Sequence, residues 1–178
     1  MSAVTVDTAA AALTPEELEL KNWLLEQAET RGNAVLGVAP GDGVGNFSFT
    51  AGAWRTHGVP EAVVIGLPNP LGSVLLDAYV DRAATGEEFR YGQLYDDFFN
   101  GVPVLFQEVA KPFYPQYFGS AFLLYPDGAF PAVQLIVPTP EGQWPWSAGA
   151  PDGFLRWQPV LTDSGLPQTR NAPPPTGR

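Results

Sequence analysis

Apolar residues at Leu20, Trp23, Leu24 and Ala28 recur at three- and four-residue spacing, while Glu19, Glu26 and Glu29 lie off that face. This pattern predicts a surface helix docked by one side. Its start is marked by Thr14 as cap, Pro15 in the first turn and Glu17 completing a capping box, with Leu13 and Leu18 at staple positions. Gly32 supplies the stop. Residues 34–38 (AVLGV) then read as a short strand, and 46–50 (NFSFT) alternate large and small side chains, so the two form a hairpin or near-hairpin across the glycine-rich loop 40–45. The run 62–66 (AVVIG) predicts a buried strand ended by Pro68. Asn69-Pro70 repeats the cap-then-proline start, and Leu71, Val74, Leu75, Ala78 and Arg82 mark a second amphipathic helix closing at Gly86.

Beyond it, 93–100 (QLYDDFFN) is ambiguous, whereas 102–109 alternates as a strand, with Pro103 suiting an edge or a strand beginning. Tyr114, Tyr117, Phe118, Ala121, Phe122 and Tyr125 fit a helical stripe; the alternative is a strand running into the turn Pro126-Asp127-Gly128. A last buried strand is predicted at 133–137 (VQLIV), followed by the aromatic segment 143–146 (QWPW). Strands mixed with helices without strict alternation favour an α+β fold. The expected architecture is a mostly antiparallel sheet of about five strands with two or three packed helices, in one domain over 13–162. Residues 1–12 and the Pro-rich stretch 163–178 lack periodicity and are expected as disordered tails.

Composition narrows what such a domain can do. At 178 residues with 45% hydrophobic and 16% charged side chains, one real core is the natural outcome. Nineteen Asp and Glu against nine Lys and Arg give a formal charge of −10. Such a surface repels phosphate backbones, so nucleic acid is not expected as a partner. The absence of cysteine removes disulfides, thiolate metal sites and thiol nucleophiles. No apolar run approaches the ~18 residues that span a bilayer, and the first thirteen residues do not read as a secretion signal. The expectation is a cytoplasmic protein with no membrane partner.

Few residues are chemically suggestive. Gly41-x-Gly43-x-Gly45 is followed by a strand-like stretch, whereas a dinucleotide loop has to open a helix, so it reads as a hairpin connection and no cofactor is expected. His57 is the sole histidine, which speaks against a zinc site. With Glu61 four residues on it forms a candidate acid/base pair, the competing reading being a loop histidine bonded to backbone. Trp144 and Trp146 suit either the wall of a ligand pocket or packing at a chain end. Gln134 and Tyr114 join them as candidate binding residues. The pairs Glu87-Glu88 and Asp96-Asp97 read as solvated charge.

Five segments taken in order, Phe47 to Gly52, His57 to Leu67, Val133 to Pro138, Gly142 to Trp146 and Gln158 to Leu161, resemble a bacterial family, the domain of unknown function numbered 4262. Its pattern runs from a phe-x-tyr-thr-x-gly-leu strand through a his-pro-glu turn to a second strand, then from a gln-leu-val-x-pro-asp strand to a phe-pro-trp segment. The resemblance covers about residues 14 to 161. The chain departs from it at Ala53, where Leu is usual, at Val59, inserted before Pro60, and at Thr139, which replaces an Asp. The resemblance implies an intracellular bacterial single-domain protein and marks the His57 to Glu61 turn, without naming a reaction. Two readings follow: a binding protein, of a neutralising or accessory kind, with a protein, peptide or small-molecule partner; or a small enzyme or accessory factor acting at His57 and Glu61.

Overall fold

A computed structural model describes residues 13–41, 44–168 and 173–177; the expected tail at 1–12 lies outside the described residues. The first helix, α1 (Pro15–Arg31), begins as its capping signals dictate. Thr14 accepts from the Glu17 N–H, Glu17 accepts from the Thr14 N–H, and Gly32 closes the helix at φ 91°. Leu24 and Ala28 are buried beneath it, whereas Leu13, Leu18 and Trp23 stay exposed. The strands β1 (Ala34–Val38) and β2 (Phe47–Ala51) pair antiparallel as a hairpin, and β2 continues antiparallel to β3 (Glu61–Ile65). Between them sits a short helix with no counterpart in the sequence pattern, α2 (Ala53–His57). The second long helix, α3 (Asn69–Ala84), lies where its apolar periodicity predicts. Asn69 does not cap it through its side chain; its amide oxygen accepts from Asn46 and Ser48 of the hairpin instead.

The ambiguous stretch becomes β4 (Leu94–Phe99), paired through an irregular register with β5 (Val102–Glu108), which in turn pairs antiparallel with β6 (Ala132–Ile136). The helical stripe after β5 is broken into a 3-10 turn, α4 (Tyr114–Tyr117) and a second 3-10 turn at Gly119–Leu123. A last short helix is α5 (Phe154–Trp157). The fold is α+β on a single sheet of six strands ordered β1-β2-β3-β6-β5-β4 among the described residues. Four of the five pairings are antiparallel; β3 and β6, at the centre, run parallel. Every residue of both central strands is buried, which suits a parallel pair covered on two faces.

One face carries α3. Leu75, Leu76, Tyr79 and Val80 pack on Ala62, Val64, Val133 and Leu135, and Phe89 stacks on Phe106 with ring centres 4.9 Å apart. Fully burying an aromatic or branched side chain of this kind contributes roughly 1.5–3 kcal/mol. The other face carries α1 and the aromatic segment Tyr114, Tyr117, Phe118 and Phe130 over Phe47, Phe49, Val63 and Ile65. The acidic pairs expected as solvated charge are partly paired: Arg82, near the end of α3, binds Glu87 and Asp97 while its guanidinium lies 4.3 Å from the Phe98 ring centre, and Arg90 binds Glu88. Residues 163–168 and 173–177, expected as a loose tail, lie against the domain: the Gln168 N–H donates to Gln107, and the Gly177 N–H donates to the Gly58 carbonyl.

Candidate functional site

The turn between β2 and β3 is built around one acid. Gly52, at φ 109°, turns the chain into α2, and Gly58, at φ 68°, turns it out again toward Pro60 and β3. The first N–H groups of a helix have no partner within it. Here the Glu61 carboxylate supplies one, although it lies after the helix in sequence: Oε2 accepts from the Gly52 and Trp54 N–H groups at 2.9 and 3.3 Å, and Oε1 from Ala53 at 3.1 Å. Thr50 donates its hydroxyl to Oε1 at 2.7 Å and accepts from the Ala62 N–H, while Tyr125 donates to Oε2 at 2.6 Å and accepts from the Arg55 N–H. Glu61 is 0% exposed. Its negative charge is met by five dipoles. Burial first, then the charge and bond of Glu61, push the Tyr125 hydroxyl well above the ordinary tyrosine range.

A carboxylate has about four lone-pair sites. With five donors on Glu61 there is no acceptor capacity left for a substrate, and the arrangement locks β2, α2, β3 and Tyr125 together. His57, the last residue of α2, turns elsewhere: its ring covers Gly32 at the end of α1, where a Cβ would sit 2.3 Å from Nε2. The two members of the candidate acid/base pair therefore serve different contacts.

The other candidate residues fall in three places. Gln134, 0% exposed in β6, donates to the Pro159 carbonyl at 2.7 Å and accepts from the Leu161 N–H at 2.9 Å. It acts as a strand edge for the segment after α5. Gln158 does the same in reverse to both backbone groups of Val137, and Gln107 holds Gln168. Neither is among the candidate binding residues read from the sequence, although a glutamine inside or beside a buried strand has to place four hydrogen-bonding sites and so signals such a clasp. Trp144 and Trp146 stack on each other, 5.3 Å apart and 11° from parallel, over Leu105, Ile136 and Val160. They follow the far end of β6, so they do not converge with Glu61, which pairs with Ala132 at its beginning. Tyr114 stacks on Phe130 at 4.8 Å, with the Lys111 ammonium 4.4 Å from its ring centre. Burial and then the charge of Glu108 push its hydroxyl up to about 12.

A groove lies beside the same turn, on the α3 face. Val59 and Pro60 form one wall; Tyr79 and Ala83 of α3, with Phe89, Tyr91 and Phe106, form the floor. The Tyr79 hydroxyl donates to the Pro60 carbonyl at 2.9 Å and fixes wall to floor. A cavity of about 150 Å³ remains there, bounded above by Pro174, Pro175 and Thr176. Past Tyr91 it gives way to a wider depression of about 650 Å³ bordered by Trp54, Glu108, Lys111, Tyr114 and Phe130, with Pro173, Pro174 and Pro175 along its side. Tyr114 is the only candidate binding residue that borders either space.

The family model described as "Domain of unknown function (DUF4262)" matches residues 27–151, and the chain belongs to that family. The matched stretch holds β1 through β6 and the Glu61 turn. No curated protein and no solved structure matches the chain.

Proposed function

We propose that this protein acts by binding another molecule, and that its contact surface is the aromatic groove between the 58–60 turn, the end of α3 and β5. The observation that carries the reading is that a segment from elsewhere in the chain already borders this groove, with the Gly177 N–H bonded to the Gly58 carbonyl and Pro174 and Pro175 lining both spaces together with Tyr91. Concave, largely apolar surfaces with a few fixed polar groups are the usual form of a binding site. The charge of −10 favours a basic or neutral partner and speeds its encounter. A cytoplasmic bacterial setting belongs to the same reading. The described residues contain no helix long and apolar enough to cross a membrane. The alternative, catalysis by His57 and Glu61, gains nothing from a carboxylate whose oxygens are all occupied.

Capture from cell extract tests the site. Trp54 is half-buried and borders the wide depression, whereas Val74 is 61% exposed on α3 and borders neither space. A partner retained by the native chain and by Val74→Ser, and lost by a folded Trp54→Ala, is the expected result. Equal retention by all three removes the groove from the proposal.

A further inference from the structure

The segment lying in the groove reads Pro173-Pro174-Pro175-Thr176-Gly177. Three successive prolines hold φ near −65° and lack N–H groups, so the segment is preset as an extended polyproline II helix and loses little entropy on docking. Aromatic-lined grooves are the recurrent receptors of such helices. Here Tyr91 borders both spaces shared by Pro174 and Pro175, Pro174 is the more buried of the two, and Tyr79 and Phe89 also line the first. The far end of the segment is fixed by the backbone bond to Gly58. A Cβ on Gly177 would stand 3.1 Å from Gly58 Cα and 3.3 Å from the Trp54 ring, so only a residue without a side chain passes between them without displacing a neighbour.

Resting on the binding reading above, we propose that the groove recognises an extended proline-rich segment of another polypeptide, and that residues 173–177 are a built-in competitor which that partner displaces. The tail shows which chemistry the surface accepts: prolines bordering the same spaces as Tyr91, a small residue at the Trp54 and Gly58 passage, and one donated backbone bond. A competitor carried on the same chain acts at a high effective concentration. A free peptide of the same sequence therefore competes poorly until the tail is released.

The test uses the full chain and a fluorescently labelled Pro-Pro-Pro-Thr-Gly peptide, read by anisotropy. In a full-length Pro174→Asp/Pro175→Asp variant, two carboxylates are unsuited to the aromatic floor and the tail leaves it. That variant is expected to bind the probe about tenfold or more tightly than the native chain. Adding Trp54→Ala to it, or replacing the probe by Ala-Ala-Ala-Thr-Gly, is expected to abolish the gain. Equal affinity of the native and tail-released chains overturns the inference, as does equal binding of the alanine probe. A concentration-dependent dimer of the native chain by light scattering, absent in the tail-released variant, also overturns it by assigning the groove to the tail of a second copy. Failure of the peptide while Trp54-dependent partner capture persists removes only this inference; loss of both removes the groove as a binding site.

Discussion

Glu61→Gln perturbs the centre of the β2–α2–β3 turn by a single atom. The amide NH₂ has to replace one carboxylate oxygen. The hydroxyls of Thr50 and Tyr125 can rotate and accept from it, but backbone N–H groups cannot. With NH₂ in place of Oε1, the Ala53 N–H faces another donor; in place of Oε2, both Gly52 and Trp54 do. The milder orientation thus leaves one buried donor unpartnered, at about 1–3 kcal/mol. The remaining bonds change from charge-assisted to neutral and lose about half their strength, adding about 1–2 kcal/mol. The sum is about 3 kcal/mol, which in a chain of this size lowers Tm by about 6–12 °C. Thermal unfolding followed by circular dichroism measures it, and urea unfolding at unchanged slope confirms that the native state is what changed. A Tm within about 2 °C of the native value refutes the assignment of Glu61 as the partner of the α2 N–H groups.

Gly32→Ala should lower stability by about 2 kcal/mol, part from the left-handed backbone at φ 91° and part from collision with His57. In a His57→Ala background only the backbone part, about 1 kcal/mol, should remain; strictly additive urea midpoints would show that the two residues do not touch. Burial raises Tyr79, Tyr91, Tyr114, Tyr117 and Tyr125 above the ordinary value of 10.0. Their contribution to stability is complete below that pH and is lost as pH rises through the higher folded values. Tyrosinate absorbance from these five residues should therefore appear together with loss of the folded circular dichroism, and their titration near pH 10 in a still-folded protein would contradict their burial.

Elements whose signals are local were legible in the sequence. The cap at Thr14, the stop at Gly32 and the apolar runs of β3 and β6 each depend on neighbours a few residues away. Five-residue α2 was not, because AWRTH between two turning glycines has no period, and what satisfies its N–H groups is an acid that follows it. The stripe from Tyr114 to Tyr125 has helical spacing, but Pro112 and Pro115 remove donors and the chain breaks into short turns. The parallel pairing of β3 with β6 leaves no trace in either strand, since both faces are covered whichever way the neighbour runs. Glu61 is legible only as an acid four residues after His57, and its pairing with that histidine is not what the structure shows. Its saturation was not readable, because its donors come from residues 50, 52, 53, 54 and 125. The groove was illegible for the same reason: Val59, Tyr91 and Pro174 meet only in space.

The central parallel pair divides the sheet into two antiparallel three-stranded meanders, β1-β2-β3 and β6-β5-β4, which meet along a single seam. Loops join β1 to β2, β2 to β3 and β4 to β5, and the aromatic segment joins β5 to β6, whereas the seam closes the whole stretch between β3 and β6, so among the strand pairings it is the one of highest contact order. Before it closes, EAVVI and AVQLI are bare edges, rich in β-branched and aliphatic residues and with no lysine or proline to block a foreign strand. Folding in a crowded solution thus becomes a race between two halves of one chain and two chains of the same half. Whatever slows the seam, rather than whatever weakens the finished sheet, decides how much protein is lost to aggregation.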